Sequence, residues 1–171
     1  MRIWIAFLWL LALLSLARAR DWEHEPLPLA PSAPSAAGVD EAVSKCRDFR
    51  NRTVHLVEIP ALGDVGRAEF IQGSPVIMLD PALIATLPAK LQVFFKLHEC
   101  AHHTLGHLFA PTYKSEKEAD CWAVKEGRKR TGLTQDDIIA WKPYFAQSRG
   151  DPFGHMPGPQ RVEFLLGCFD E

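Results

Sequence analysis

Two histidines and a glutamate form the pattern H-E-x-x-H at positions 98 to 102, whose residue types and spacing suit metal-assisted hydrolysis. Residues four positions apart on a helix lie on one face, so His98 and His102 could ligate the same ion. Glu99 would project beside them toward the open side of that ion. Because imidazole pairs of this kind bind zinc, the pattern predicts a Zn²⁺ cofactor and a metal-activated water.

A catalytic zinc ion keeps three protein ligands and one open position, so a third ligand must come from elsewhere in the chain. Two candidates are excluded by helical geometry, because His103 and His107 are offset from His102 by about 100° and about 140°. His107 is expected to be a helix-terminal cation or a hydrogen-bonding side chain. The remaining candidates are Glu116, Glu118, Asp120 and His155.

Glu116 and Asp120 are four residues apart on the next predicted helix and therefore share a face. This spacing suggests that Glu116 binds the metal directly. Asp120 would then accept a hydrogen bond from the non-ligating ring nitrogen of a ligand histidine and so fix its tautomer. Glu118 is assigned to a capping box with Ser115. The alternative for both carboxylates is a solvated acidic first turn favoured by the helix dipole.

In the predicted mechanism, zinc lowers the pKa of its bound water and polarises the scissile carbonyl. Glu99 takes the water's proton as general base and passes it to the leaving amine. The oxyanion needs a further hydrogen-bond donor, and we assign His155 to this second catalytic role. The other candidate donors are Arg161, Tyr113 and Tyr144, and the alternative for His155 is an ordinary surface loop residue.

His98-Glu99-x-x-His102 followed by Glu116-x-x-Ala119-Asp120 resembles the gluzincin metallopeptidases, in which a glutamate on the next helix completes the zinc site. Pieces of the chain between Leu97 and Gly167 are also similar to the bacterial neutral zinc metallopeptidases. The resemblance implies a small gluzincin-like domain with a short antiparallel sheet packed on the H-E-x-x-H helix. It implies His98, His102 and Glu116 as zinc ligands, Glu99 as base and Asp120 behind the ligands.

Two other functions are consistent with the same residues. A zinc-stabilised binding or scaffold protein would use the metal without hydrolysis, although such a protein would not require Glu99. A self-processing hydrolase would cut its own N-terminal linker or a single partner. The presence of Glu99 favours catalysis, and a peptide or an unfolded protein is the expected substrate.

The elements that must position these residues follow one another as a helix, then strands, then helices, and this order predicts the α+β class. The strand at 76–79 is predicted to support the metal helix, and 75–79 could also be a sheet edge that binds extended peptide. The predicted helices are 40–49, 81–87, 89–109, 115–130, one from 134 that Pro143 stops, and one beginning at Arg161; the predicted strands are 52–59, 68–71 and 76–79.

Four cysteines form an even set, Cys46, Cys100, Cys121 and Cys168. Structural disulfides are their expected role in an exported chain, and three pairings are possible. Zinc ligation by cysteine is disfavoured, because no C-x-x-C spacing exists and Cys100 lies about 200° around the helix from His98.

The first nineteen residues read as a cleaved signal peptide, with Arg2 before an apolar run and Ala17-Arg18-Ala19 as the cleavage site. That run is shorter than the ~20 apolar residues of a spanning helix, so no stable membrane anchor is expected after cleavage. Residues 20–38, rich in proline and alanine, predict an extended linker, and residues 39–171 predict the metallopeptidase domain. Periplasmic and secreted locations are equally consistent with this export signal.

The charge balance argues against a nucleic-acid or anionic-membrane partner. The whole chain has 19 basic and 21 acidic side chains. Removal of Arg2 and Arg18 with the signal peptide leaves 17 basic and 21 acidic groups, a formal charge of −4. A net acidic surface does not attract polyanions. The composition leaves the oligomeric state open.

Overall fold

The computed structural model describes residues 44–146, 148–151 and 154–170. The predicted signal peptide 1–19, the linker 20–38 and the first residues of the predicted domain lie outside this part of the chain. The described elements are β1 (His55–Glu58), β2 (Gly66–Ile71), β3 (Ser74–Leu79), α1 (Pro81–Ile84), α2 (Ala89–Thr104), α3 (Ser115–Thr131), α4 (Gln135–Ala140), α5 (Lys142–Phe145) and α6 (Gly158–Asp170).

A three-stranded sheet and helices make a mixed fold that is compatible with the predicted α+β class. The prediction of an antiparallel sheet is wrong for β1. This strand pairs with β3 in parallel, with Val57 opposite Met78. The hairpin of β2 and β3 is antiparallel as predicted. The hairpin places β2 along one edge of β3. β1 therefore pairs with the other edge of β3, and residues 59–65 connect β1 to β2.

The strand order is β1-β3-β2, so β3 lies in the centre of the sheet and pairs on both sides. The prediction that residues 75–79 form a peptide-binding edge is therefore wrong. Gly66 to Ile71 form an edge strand instead. Helix α2 packs on this sheet, where His103 Nε2 donates to the carbonyl oxygen of Val76 over 2.9 Å.

Local capping signals place several helix starts. Asp80 caps α1 by accepting from the backbone N–H groups of Ala82 and Leu83, and Pro81 occupies the first turn. Thr134 and Asp137 form a complete capping box at α4. Helix α4 ends before Pro143, as predicted. Pro143 itself lies in the first turn of α5, where proline is tolerated.

Two predictions about helix ends are wrong. Residues 45–49 are not helical, because the chain there forms an antiparallel bridge between Arg47 and Thr53. Helix α2 ends at Thr104, five residues earlier than predicted, since Gly106 turns the chain with φ 75°. An α-helix cannot continue through that left-handed conformation.

The core lies between the sheet, α2 and the C-terminal helices. Leu91, Phe94 and Leu97 of α2 are buried against residues of α3, α4 and α6. The final helix begins at Gly158, three residues before the predicted start at Arg161. Burial of these apolar side chains holds α2 and α3 side by side.

Two disulfides cross-link the helices that contain the motif residues to other segments of the chain. Cys46 pairs with Cys100 on α2, and Cys121 on α3 pairs with Cys168 on α6. Cys100 is 1% exposed in the core cluster, as predicted for the back of α2. The two bonds are compatible with an oxidising compartment. Among the described residues, no helix is long and apolar enough to cross a membrane.

Replacement of both Cys46 and Cys100 with alanine should lower the free energy of unfolding by about 2–4 kcal/mol. The cross-link joins residues 54 positions apart, so its loss gives the unfolded chain considerably more conformational entropy. Guanidinium unfolding followed by circular dichroism measures the change. A difference of less than about 1 kcal/mol would contradict a major role for this cross-link.

Candidate metal centre

Helices α2 and α3 bring three of the predicted ligand side chains together. His98 Nε2 lies 3.1 Å from His102 Nε2 and 3.2 Å from Glu116 Oε2. Glu116 Oε1 lies 3.5 Å from His102 Nε2. The two histidines are adjacent because they are one turn apart, and Glu116 reaches them from the first turn of α3.

The loop before α6 adds a fourth side chain to this cluster. His155 Nε2 lies 2.9 Å from Glu116 Oε2. His98, Glu116 and His155 each offer a ligand atom within 4.8 Å of the others, so this group could hold a metal ion. His155, a candidate third ligand in the sequence that we assigned to the oxyanion instead, therefore lies beside the predicted ligand Glu116.

The cluster has the dimensions of a metal site. Zinc–ligand distances of ~2.0–2.1 Å with tetrahedral angles place neighbouring ligand atoms about 3.3 Å apart. The separations among His98, His102 and Glu116 are 3.1 to 3.5 Å. Glu116 Oε2 is buried and has no hydrogen-bond partner within the described part of the chain. A cation would satisfy this oxygen, so the donor set fits a divalent metal ion such as zinc.

A buried ion pair fixes the ring of His98. Asp120 Oδ1 lies 2.8 Å from His98 Nδ1, and both carboxylate oxygens of Asp120 accept from Arg161, over 2.6 and 2.9 Å. Burial alone would raise the pKa of Asp120, but Arg161 and His98 hold it below its ordinary value. Asp120 thus remains an acceptor for Nδ1–H of His98 and holds the ring with Nε2 facing Glu116.

A second relay of side chains lies behind His102, and the sequence analysis did not find it. His107 Nδ1 lies 3.2 Å from His102 Nδ1, and His107 Nε2 lies 3.2 Å from Glu118 Oε2. Glu118 can accept from Nε2–H of His107, whose Nδ1 then accepts from His102. In this arrangement Nε2 is the ring nitrogen of His102 that faces Glu116 and could bind a cation.

The predicted capping box of Ser115 and Glu118 is wrong, because α3 begins at Ser115 with Lys114 as its cap and without a side-chain cap bond. Ser115 Oγ instead accepts from the backbone N–H of Thr112. Glu118 therefore contacts His107. In the sequence, Gly106 is the residue that indicates this contact. A glycine at this position ends α2 and lets His107 turn back toward His102.

The charges in the cluster reinforce one another. Burial would lower the pKa of His98, but the neighbouring carboxylates of Asp120 and Glu116 raise it to about 9. Contact with Glu116 also raises the pKa of His155 to about 9, against the effect of burial. Burial would raise the pKa of Glu116, but the surrounding histidines hold it far below its ordinary value. Glu116 is therefore ionised throughout the physiological pH range.

Glu99 lies beside the cluster, between α2 and the edge strand. Its side chain lines a cleft of about 750 Å³ together with His98, His102 and Glu116. A Cβ atom at Gly66 of β2 would lie 3.2 Å from Cγ of Glu99, so the strand passes directly over this side chain.

The other predicted candidates have separate positions. His103 faces the sheet and is 1% exposed, and burial lowers its pKa. Arg161 is committed to Asp120, and Tyr113 is 80% exposed. Tyr144 and His155 line the cleft, so these two remain available as donors toward a bound substrate.

No family model matches the chain, and no curated protein or solved structure is significantly similar to it. The gluzincin resemblance therefore depends on the motif residues. The interpretation of these residues as a metal site depends on the short distances among His98, His102 and Glu116.

Proposed function

We propose that the protein is an exported zinc-dependent metallopeptidase that hydrolyses peptide bonds. The observation that supports this best is the convergence of two imidazole nitrogens, 3.1 Å apart, with the carboxylate of Glu116, whose Oε2 lies 3.2 Å from His98 and whose Oε1 lies 3.5 Å from His102, in the lining of a cleft. His98, His102 and Glu116 would hold the zinc ion. When bound, zinc would supply a Lewis acid and an acidified water.

The roles of the remaining residues follow from their positions in the cleft. Glu99 would accept the proton of the attacking water and deliver it to the leaving amine. His155 would donate to the oxygen of the scissile carbonyl as negative charge develops there. Asp120 would hold His98 in the tautomer that presents its Nε2 lone pair. These assignments apply the motif roles to Glu99 and His155, which line the cleft, and to Asp120, which lies behind His98.

A peptide or unfolded protein substrate is supported by the edge strand. Residues Gly66 to Ala68 of β2 line the cleft, and β2 lies at the edge of the sheet. An extended chain could pair with such an edge through main-chain hydrogen bonds, which select little for sequence. The chain's net negative charge gives no preference for a polyanionic partner.

Zinc analysis and a hydrolysis assay test the proposal together. The purified protein should contain one zinc ion per chain and should cleave a fluorescently labelled unfolded polypeptide. A chelator should remove both the metal and the hydrolysis, and added zinc should restore them. Stoichiometric zinc without cleavage of any unfolded polypeptide would instead identify a zinc-stabilised binding protein.

Replacement of His107 with alanine should weaken zinc binding by about 10- to 100-fold, the usual effect of losing a hydrogen bond behind a ligand. His102 would lose the ring that fixes its tautomer. Competition with a chromophoric chelator measures the affinity. A glutamine at position 107 could still accept from His102 and should restore part of it. If alanine left the affinity unchanged, the relay would have no effect on the metal.

Zinc affinity should increase with pH between 6 and 8. In the metal-free protein the raised pKa of His98, about 9, means that its ring carries a proton in this range. Zinc must displace that proton, so each pH unit should strengthen binding about tenfold for each proton released. Calorimetry in buffers of different ionisation enthalpy counts the protons. Binding that releases none would contradict the assignment of His98 as a ligand.

A further inference from the structure

Three imidazoles surround Glu116, whereas the proposed zinc site uses two. Nε2 of His155 lies 2.9 Å from Glu116 Oε2, which is closer than Nε2 of His98 at 3.2 Å. His155, His98 and Glu116 together satisfy the distance condition for a shared metal ion. The third ring is therefore within the distance range of a ligand.

In each of the three imidazole rings, the nitrogen that faces away from Glu116 contacts a carboxylate, either directly or through another ring. Asp120 is paired with Nδ1 of His98, Glu118 acts on His102 through His107, and Asp151 Oδ2 is paired with Nδ1 of His155. A carboxylate behind the ring is the usual companion of a metal-ligating histidine, because it orients the ring and strengthens its other nitrogen as a donor. Asp151 contacts Nδ1 of His155 directly, just as Asp120 contacts Nδ1 of His98.

We propose that His155 is a fourth, displaceable zinc ligand, which would occupy the open position of the metal at rest and leave it when the substrate and the attacking water bind. This inference rests on the proposed function and adds a resting state to it. A site with four protein ligands is closed, and catalysis requires that one of them leave. Displacement would leave the ring of His155 beside the carbonyl oxygen, where it can donate to the developing charge.

The exposure of the side chains identifies which ligand leaves. The side chain of His155 is 41% exposed, against 3% for His98 and 11% for His102. His155 comes from the loop between α5 and α6, where its backbone N–H and carbonyl both contact Asp151. His98 and His102 are held on one rigid helix under packed side chains. Of these three rings, all of which line the cleft, His155 is therefore the most accessible to a substrate.

Histidine ¹⁵N NMR of the zinc-loaded full chain tests this proposal directly, because a metal-bound Nε2 has a distinct chemical shift. Three bound rings are expected at rest, and His155→Ala should remove one of these signals. A peptide hydroxamate, which chelates zinc as a carbonyl mimic, should release the His155 ring and leave the other two bound. Two bound rings at rest, or three that persist with excess hydroxamate bound to zinc, would overturn the proposal.

Zinc affinity provides a readout independent of hydrolysis. His155→Ala should weaken zinc binding by at least the ~10-fold that loss of an outer hydrogen bond causes, and Asp151→Asn should have a smaller effect in the same direction. His55→Ala is the matched control, since His55 is exposed on β1 and is not among the cleft residues. Equal affinities for the His155→Ala variant and the wild type would overturn the fourth-ligand assignment. A wild-type protein that binds no zinc would refute the proposed function as well.

Discussion

Replacement of Glu99 with glutamine should reduce kcat/KM for peptide hydrolysis by about 10²- to 10⁴-fold while zinc stays at one ion per chain. Glutamine has nearly the same shape, so it should fit between α2 and Gly66. It cannot accept a proton from the attacking water. The expected loss corresponds to about 3–5 kcal/mol of transition-state stabilisation. Stopped assays with a quenched fluorescent peptide and metal analysis of the same samples measure both quantities.

A matched control separates this effect from a general change in charge. Glu163→Gln makes the same substitution at an exposed position of α6, and its activity should equal that of the wild type. Glu99→Gln protein that retained full activity would eliminate Glu99 as the base. Loss of zinc together with activity would show that Glu99 supports the metal itself, which the proposed mechanism does not allow.

Asp120→Asn should lower the free energy of unfolding by about 3–5 kcal/mol, because it removes the carboxylate that pairs directly with the buried guanidinium of Arg161. Arg161 is 8% exposed and Asp120 is 1% exposed, so water cannot replace the lost charge. A loss of this size lowers the melting temperature by roughly 10–20 °C in a domain of this length. Differential scanning calorimetry of the metal-free proteins measures it without a contribution from zinc binding.

Asp136→Asn is the control for Asp120→Asn, since Asp136 is exposed on α4 and its replacement should change the melting temperature little. The Asp120 variant should also bind zinc more weakly, because His98 loses the anion that fixes its tautomer. A melting temperature within about 2 °C of the wild type would show that the pair of Asp120 and Arg161 contributes little to stability.

Local signals predicted the elements that depend on nearby residues. Asp80 with Pro81, and Thr134 with Asp137, mark helix starts because their side chains bind backbone groups within four residues. Gly73 in the turn and Ser74 at the start of β3 predicted the hairpin for the same reason. Each of these interactions is formed within one short segment, so its energy depends little on the rest of the fold.

Errors occurred where a distant segment competes for a residue. The parallel pairing of β1 with β3 depends on which strand edge is free after the hairpin has formed. Glu118 fits a capping pattern in sequence, but in the fold it faces His107, eleven residues earlier in the chain. Ser115 likewise accepts from Thr112. A one-dimensional pattern cannot weigh such contacts against a local cap.

The sequence alone determined the pair of imidazoles and the carboxylate at positions 98, 99 and 102, because the pitch of a helix puts residues four apart on one face. It also indicated Glu116 and Asp120 through the same rule on the next helix. Only the tertiary structure decided the disulfide pairs, the two relays behind the histidines and the arrival of His155 beside Glu116. Apart from the step from His102 to His107, these contacts join residues between 11 and 54 positions apart, and helical periodicity holds no information about how distant segments meet.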